Sequence, residues 1–295
     1  MTIEPITDTI SLVHGKDGGR FPSSHSILVR GKETVLIDTG CGIATLQKLN
    51  DEFDIDYVIN SHCHPDHSAG NWVFADRPLY APIESAESHG RLEALSVRLA
   101  EPGELAEQWK RFVRDALGFN EMAPTHFYRD GDRFDFGPCG LLAVHTPGHT
   151  ADHYCLFEPD QQILFSFDLD MTPFGPWYGH RESDLNQIRE SLNRIRSLNP
   201  KMIVSSHRDV LTSDIAETID RFEGVLDRRE KRLLSMLTRP YTLPELVAQA
   251  PFYGKHPYLP DLLKYWEGQM VQKHLDEMVD KRLITSEDGR YCRIA

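Results

Sequence analysis

Four side chains able to bind metal ions lie within six residues, in the segment SHCHPDHSAG. His62 and His64 are two residues apart, so in an extended segment their imidazoles point the same way and can share one ion. Pro65 suits the start of a helix, which would turn Asp66 and His67 towards a second ion beside the first. Imidazole and carboxylate are the ligands expected of zinc in a hydrolytic site. The spacing therefore predicts two neighbouring metal ions, and a polar surface loop is the alternative interpretation.

Three further donors each stand where a short apolar run ends. His149 lies in HTPGHT, where a Pro-Gly turn would present the imidazole, Asp168 ends ILFSFD, and His207 ends MIVSSH. Each of them alone is more often structural than functional. Together with the first cluster they complete two coordination spheres, in which the carboxylate of Asp168 could bridge two cations.

The elements that must position these side chains are alternating strands and helices, which predict an α/β layered architecture over residues 1–212. Ser183 is the predicted N-cap of a helix at 184–198, and charged helical spacing over 83–118, broken near Pro102, predicts a pair of inserted helices. Short apolar runs predict the strands. These runs are SILVRG, ETVLIDTG, DYVIN, GLLAVH, HYCLF, ILFSF and MIVSS.

From residue 213 to 295 the pattern becomes mainly helical. A long helix ends before Pro240, Thr242 and Glu245 form a capping-box pattern, and a further helix covers roughly 260–280. Short strand-like pieces then close around an Asp-Gly turn. Helices followed by a hairpin predict a small winged-helix-like C-terminal domain.

The motif order HxHxDH, TPGH, an Asp after an apolar strand and a strand-end His resembles the metallo-β-lactamase superfamily, over about residues 5–212. The resemblance implies an αββα sandwich. It also implies two metal ions, one held by His62, His64 and His149 and the other by Asp66, His67 and His207, with Asp168 bridging them. Asp66 would also be catalytic, by orienting the nucleophile. Asp38, in VLIDTG, would orient an imidazole by a hydrogen bond.

Two positions depart from the family pattern. The bridging carboxylate usually follows Gly, whereas Phe167 precedes it here, and the last histidine usually stands in GHG. Three residues are candidates for the substrate rim: Tyr178, His180 and His153, of which His153 could instead support a metal ligand from behind. Tyr178 and His180, in PFGPWYGH, are also candidate proton donors, and ordinary packing is the alternative for all three.

The resemblance implies a binuclear hydrolase that uses a metal-bridging hydroxide on a small ester, thioester or lactone. One alternative is an endoribonuclease or phosphodiesterase of the lactamase-β-like branch, and another is an iron-dependent oxidoreductase on the same scaffold. Two zinc ions are the expected cofactors, although His/Asp sites also accept iron or manganese. A non-catalytic binding module would be expected to have lost ligands, and all seven are present.

Charge and composition bear on the partners. The chain carries a net charge of −13, with 19 Lys/Arg against 34 Asp/Glu in residues 1–220 and 13 against 11 in 221–295. This balance disfavours nucleic acid and favours a small-molecule substrate.

Five scattered cysteines and the lack of a long apolar run or signal pattern predict a cytoplasmic protein without a membrane span. The aromatic tail could serve as a lid, a homodimer interface or a nucleic-acid contact.

Overall fold

The computed structural model describes residues 1–100, 102–256 and 260–294. Its first sheet has seven strands in sequence order, antiparallel from β1 to β4 and parallel from β4 to β7. The strands are β1 (Ile3–Pro5), β2 (Ile10–Val13), β3 (Ser26–Arg30), β4 (Thr34–Ile37), β5 (Tyr57–Ile59), β6 (Leu79–Pro82) and β7 (His126–Tyr128). The predicted strands at SILVRG, ETVLIDTG and DYVIN correspond to β3, β4 and β5.

Among the described residues, four α-helices lie between these strands: α1 (Ile43–Glu52), α2 (Pro65–Ser68), α3 (Leu92–Leu99) and α4 (Glu104–Leu117). Pro65 is the first residue of α2, where its fixed φ suits a helix and its missing N–H costs nothing. The helices α3 and α4 occupy the predicted insertion at 83–118, of which residue 101 lies outside the described residues. Gly103, with a φ of 107°, makes the break between them.

The second sheet contains β8 (Arg133–Asp135), β9 (Gly140–His145), β10 (Tyr154–Glu158), β11 (Ile163–Phe167) and β12 (Met202–Ser205). Its order is β12-β11-β10-β9-β8, and only the β11–β12 pair is parallel. The register of β11 slips between Phe165 and Phe167, and Phe167 has a φ of 47°. The left-handed backbone conformation of Phe167 changes the direction of the chain immediately before Asp168. Gly adopts this conformation without a steric penalty, which explains why the family pattern usually has Gly at the position of Phe167.

The two sheets pack face to face, with helices on both outer faces. The inner layer joins Ile10 and Ile37 of the first sheet to Leu156 and Phe165 of the second. On the outer faces, α1 covers the first sheet and α5 (Leu185–Ser197) covers the second. These four layers form the predicted αββα sandwich.

The predicted N-cap of α5 is wrong by one residue. The side chain of Asp184 accepts a hydrogen bond from the N–H of Gln187 and is the cap. Ser183 instead donates its hydroxyl to the carbonyl of His149, at 2.7 Å. Both residue types are good caps, so only the tertiary contact of Ser183 decides between them.

The C-terminal segment contains α6 (Ile215–Met236), β13 (Tyr241–Thr242), α7 (Leu243–Val247), α8 (Pro260–Asp280), β14 (Ile284–Glu287) and β15 (Arg290–Arg293). The capping box of Thr242 and Glu245 is confirmed. The hairpin turn has positive φ at both Asp288 and Gly289, as its sequence predicts. A winged-helix arrangement of these elements stays a prediction.

The helix α8 packs against the inserted helices rather than standing apart. Apolar side chains of α3, α4 and α8 form one buried cluster that includes Leu95, Trp109, Leu263 and Trp266. Insertion and C-terminal segment therefore build one wall of the molecule together. Among the described helices, none is long and apolar enough to cross a membrane.

Candidate metal centre

All seven predicted metal ligands meet at one edge of the sandwich, where the strands of both sheets end. The potential ligand atoms form two groups, and within each group they lie within 4.8 Å of one another. The first group is His62, His64, His149 and Asp168, and the second is Asp66, His67 and His207. Six of the seven residues are buried and His207 is half-buried. These are the two sets that the sequence resemblance implied, with Asp168 placed in the first.

Asp168 lies between the two groups and presents one carboxylate oxygen to each. Its Oδ2 is 3.1 Å from Nε2 of His149 and 3.6 Å from Nε2 of His62. Its Oδ1 is 2.8 Å from Nε2 of His67 and 3.2 Å from Nε2 of His207. A carboxylate so placed has the geometry of a bridging ligand.

Hydrogen bonds on the far side of each imidazole determine which nitrogen faces the centre. His149 donates its Nδ1–H to the carbonyl of Trp177 at 2.8 Å, and His207 donates its Nδ1–H to the carbonyl of Gly19 at 2.7 Å. Since a carbonyl can only accept, the proton of each neutral ring must lie on Nδ1. In the neutral form of each ring, Nε2 therefore has a free lone pair directed at the centre.

Asp38 orients two of the other ligands. It is fully buried, and its Oδ2 accepts the Nδ1–H of His67 at 2.8 Å and the hydroxyl of Ser61 at 2.7 Å. Because that hydroxyl proton is committed, the oxygen of Ser61 accepts the Nδ1–H of His62 at 2.9 Å. Asp38 thus has the contact with an imidazole that was predicted for it, and it directs Nε2 of both His62 and His67 inwards.

Three buried polar atoms of the centre lack a hydrogen-bond partner: Nε2 of His62, Nε2 of His67 and Oδ1 of Asp168. An unpaired buried polar atom costs about 1–3 kcal/mol. Nε2 of His67 also lies 2.8 Å from Oδ1 of Asp168, where a metal ion would bind both atoms in place of a proton. The donor set and its buried atoms without a hydrogen-bond partner therefore fit divalent metal ions.

Electrostatics distinguish the two groups. Burial lowers the pKa of His62 and His64, which keeps both rings neutral and able to coordinate. Burial also acts to lower the pKa of His207, but the charges of Asp168 and Asp66 outweigh it and raise that pKa to about 9. A metal ion in the second group must displace this proton, whereas the rings of His62 and His64 are already deprotonated.

A cavity of about 520 Å³ opens onto both groups of ligands. Its floor includes His64, Asp66, His149, Asp168 and His207. Its walls are mainly apolar and aromatic, contributed by α4, by α8 and by the loop that precedes α5. The wall residues include Leu99, Trp109, Phe112, Val113, Phe174, Trp177, Leu263 and Trp266. The wall residues of α4 were not predicted, although Trp109, Phe112 and Val113 have the helical spacing of one face.

The three candidate rim residues have different positions. His153 lies beneath the centre, where its Nε2 accepts the backbone N–H of Asp168 at 3.3 Å, and Tyr178 is hydrogen-bonded to His274 at 2.7 Å. Both are fully buried and neither lines the cavity, so the structure does not place them at a substrate rim. His180 does line the cavity, and its Nε2 is 2.7 Å from Nε2 of His64.

A buried ion cluster that the sequence analysis missed ties the insertion to the metal centre. The guanidinium of Arg98, on α3, bonds Asp152 at 2.6 Å and Glu182 at 2.7 Å. Asp152 precedes His153 in the loop that carries His149. Burial would raise the pKa of Asp152, but the charge of Arg98 outweighs it and lowers the pKa to about 2. The motif TADH gave no signal for this partner, because Arg98 lies far away in sequence.

Comparisons with known proteins agree with this geometry. Residues 19–207 match the family model of the Metallo-beta-lactamase superfamily. The chain belongs to the metallo-beta-lactamase superfamily. A metallo-beta-lactamase family protein from Thermus thermophilus has a similar solved structure, with a TM-score of 0.76 and 19% identity, covering 98% of this chain and 100% of that one. At this identity the likeness shows the fold, and it extends over the C-terminal helices.

Two curated relatives of this superfamily are similar in sequence. The lactamase-like protein aptB of Emericella nidulans is 30% identical over 78% of this chain. The human acyl-coenzyme A thioesterase MBLAC2 is 32% identical over 48% of this chain. The matches span 65% of the first relative and 56% of the second. The donor set, in a chain of this superfamily, is that of a divalent metal site.

Proposed function

We propose that this chain is a binuclear metal-dependent hydrolase that cleaves thioesters of apolar acyl groups. The observation that carries the proposal is the aromatic cavity, which ends on both groups of metal ligands. An acyl chain held between Trp109 and Trp266 would bring its carbonyl carbon to that floor. The name of the thioesterase relative MBLAC2 supports the same chemistry.

The metal ions would be held by His62, His64 and His149 on one side and by Asp66, His67 and His207 on the other, with Asp168 between them. Zinc suits this donor set, and iron or manganese can occupy the same ligands. When bound, two such cations lower the pKa of a bound water towards neutrality and polarise a carbonyl oxygen. The chain's own residues supply the remainder of the mechanism.

Asp66 has a position suited to the catalytic role that the resemblance implied. Its carboxylate lies on the cavity floor, with Oδ2 3.7 Å from Nε2 of His207 and 3.9 Å from Nε2 of His67. It would orient the attacking water and take its proton. The apolar walls would exclude bulk water, which strengthens each electrostatic contact at the floor.

The charge of the cavity favours an apolar acyl group over the phosphates of a nucleic acid. Of the described side chains that line it, Arg20 is the sole Lys or Arg. Binding a polyanion depends on several Lys or Arg contacts to its phosphates. The net charge of −13 would also repel a nucleic acid.

The test is release of free thiol from acetyl-, hexanoyl- and decanoyl-coenzyme A by the zinc-loaded protein. We expect kcat/KM to rise with acyl length by up to about fourfold per methylene, because each buried CH₂ contributes about 0.8 kcal/mol. The Asp168→Ala variant, which removes the bridging carboxylate, is the inactive control. Turnover of a phosphodiester without thiol release from any of the three substrates would refute the proposal.

A further inference from the structure

His180 contacts a metal ligand from inside the cavity wall. It ends the aromatic loop before α5 and is 3% exposed. Its Nε2 lies 2.7 Å from Nε2 of His64, and its Nδ1 lies 3.0 Å from the carbonyl oxygen of Leu99. One imidazole therefore connects a metal ligand to the last residue of α3.

The proton positions in this chain of contacts follow from the carbonyl. Leu99 O can only accept, so His180 must carry its proton on Nδ1. With that proton on Nδ1, Nε2 of the neutral ring is an acceptor. The proton shared with His64 must then belong to Nε2 of His64. This leaves Nδ1 of His64 with a free lone pair.

The free nitrogen of His64 faces the rest of the first ligand group. Its Nδ1 is 3.0 Å from Nε2 of His149 and 3.7 Å from Oδ2 of Asp168. His62, His67, His149 and His207 present Nε2 to the centre, whereas His64 presents Nδ1. The ring of His64 must therefore be turned the other way round from the rings of the other four histidines. Its Nε2–H, which points away from the centre, must have a hydrogen-bond acceptor.

We propose that His180 is a positioning residue that fixes the ring orientation and tautomer of His64, so that Nδ1 of His64 coordinates the metal. The role differs from that of a proton donor. The only ring proton of His180 is committed to Leu99, and its other nitrogen accepts, so the ring has no proton to give to a leaving group. His180 thus acts on the metal through His64.

Both segments that build the cavity wall hold His180 in place. Leu99 belongs to the insertion, and its carbonyl also accepts the indole N–H of Trp266, on α8, at 3.4 Å. Lys273, on the same helix, donates its ammonium to the carbonyl of His180 at 2.7 Å. The insertion and the C-terminal helix consequently determine the geometry of a metal ligand as well as the shape of the cavity.

Binding of cobalt(II) to metal-free protein tests this role without any substrate, so the outcome is separate from that of the thioesterase proposal. His180→Phe preserves a ring but offers no acceptor, whereas the amide oxygen of His180→Gln can accept from Nε2 of His64. We expect His180→Phe to weaken cobalt affinity about 10- to 100-fold and to change the visible spectrum of the bound cobalt. We expect His180→Gln to restore most of the affinity and the spectrum.

Two further variants complete the design. His180→Asn can keep the contact with Leu99 but is too short to reach His64, so it should weaken cobalt affinity as His180→Phe does. It takes the place of His180→Phe in the test if the Phe variant does not fold. His126→Phe, on an exposed histidine of β7, is the control for loss of an imidazole. Wild-type cobalt affinity and spectrum in folded His180→Phe or His180→Asn would overturn the proposal, as would a His180→Gln protein no better than His180→Phe.

Discussion

Removing the guanidinium of Arg98 should destabilise the protein by about 3 kcal/mol. Arg98→Met keeps most of the buried stem but leaves Asp152, which is fully buried, without its cation. Breaking one side of a buried ion pair costs about 3–5 kcal/mol. The pKa of Asp152 leads to a similar value, since a shift from 3.8 to about 2 corresponds to about 2.5 kcal/mol. Glu182, 24% exposed at its side chain, recovers solvation and adds little.

Urea unfolding of wild type, Arg98→Met and Arg98→Lys at pH 7 measures this change. Lysine keeps the charge but cannot bond Asp152 and Glu182 with one planar group. We therefore expect the free energy of unfolding of Arg98→Lys to lie between those of wild type and Arg98→Met. The pKa of Asp152 is lowered in the folded protein, so its stabilising effect is present above pH 3.8 and is lost as the pH falls towards 2. The deficit of Arg98→Met should therefore shrink below about pH 4. A loss under about 1 kcal/mol at pH 7, or a deficit independent of pH, would refute the reasoning.

Two further predictions concern pH and acyl length. Burial lowers the pKa of His89 from 6.5 to about 4, so the folded protein should lose stability as the pH falls through this range, and His89→Gln should lose about 2 kcal/mol less between pH 7 and pH 5 in urea unfolding. Parallel losses in both proteins would contradict this. Phe112→Ala should lower kcat/KM for decanoyl-coenzyme A about tenfold and for the acetyl thioester less than about twofold, since it removes apolar wall from the cavity. Phe127→Ala, on an exposed phenylalanine of β7, is its control, and equal losses on both substrates would exclude a role in acyl binding.

Local patterns predicted the elements that depend on neighbouring residues. The strands β3, β4, β5 and β9 to β12 coincide with the predicted apolar runs to within a few residues, and α8 has the predicted bounds. The capping box of Thr242 and Glu245 forms because all its partners lie within four residues. The N-cap of α5 was misassigned because Ser183 has a distant partner, the carbonyl of His149.

The strands β1, β2, β6, β7 and β8 were not predicted. Each is three or four residues long and forms because a neighbouring strand offers backbone partners, which a local pattern does not reveal. Tyr178 was expected at a rim, and His153 at a rim or behind a metal ligand, because both lie near the ligands in sequence. Their partners, the backbone of Asp168 and the ring of His274, place both of them in the interior.

The ligand chemistry of this protein could be derived from its sequence, because residue type and short spacing decide which side chains can bind a metal ion. His62, His64, Asp66 and His67 are close along the chain, and the other three donors follow strands that meet at one edge. Which nitrogen each imidazole presents, and what surrounds the site, depends instead on the packed structure. The position of the ring proton of His64 depends on His180 and Leu99. The cavity is built by α4, α8 and the loop that precedes α5. Such contacts join residues far apart in sequence, so no local pattern encodes them.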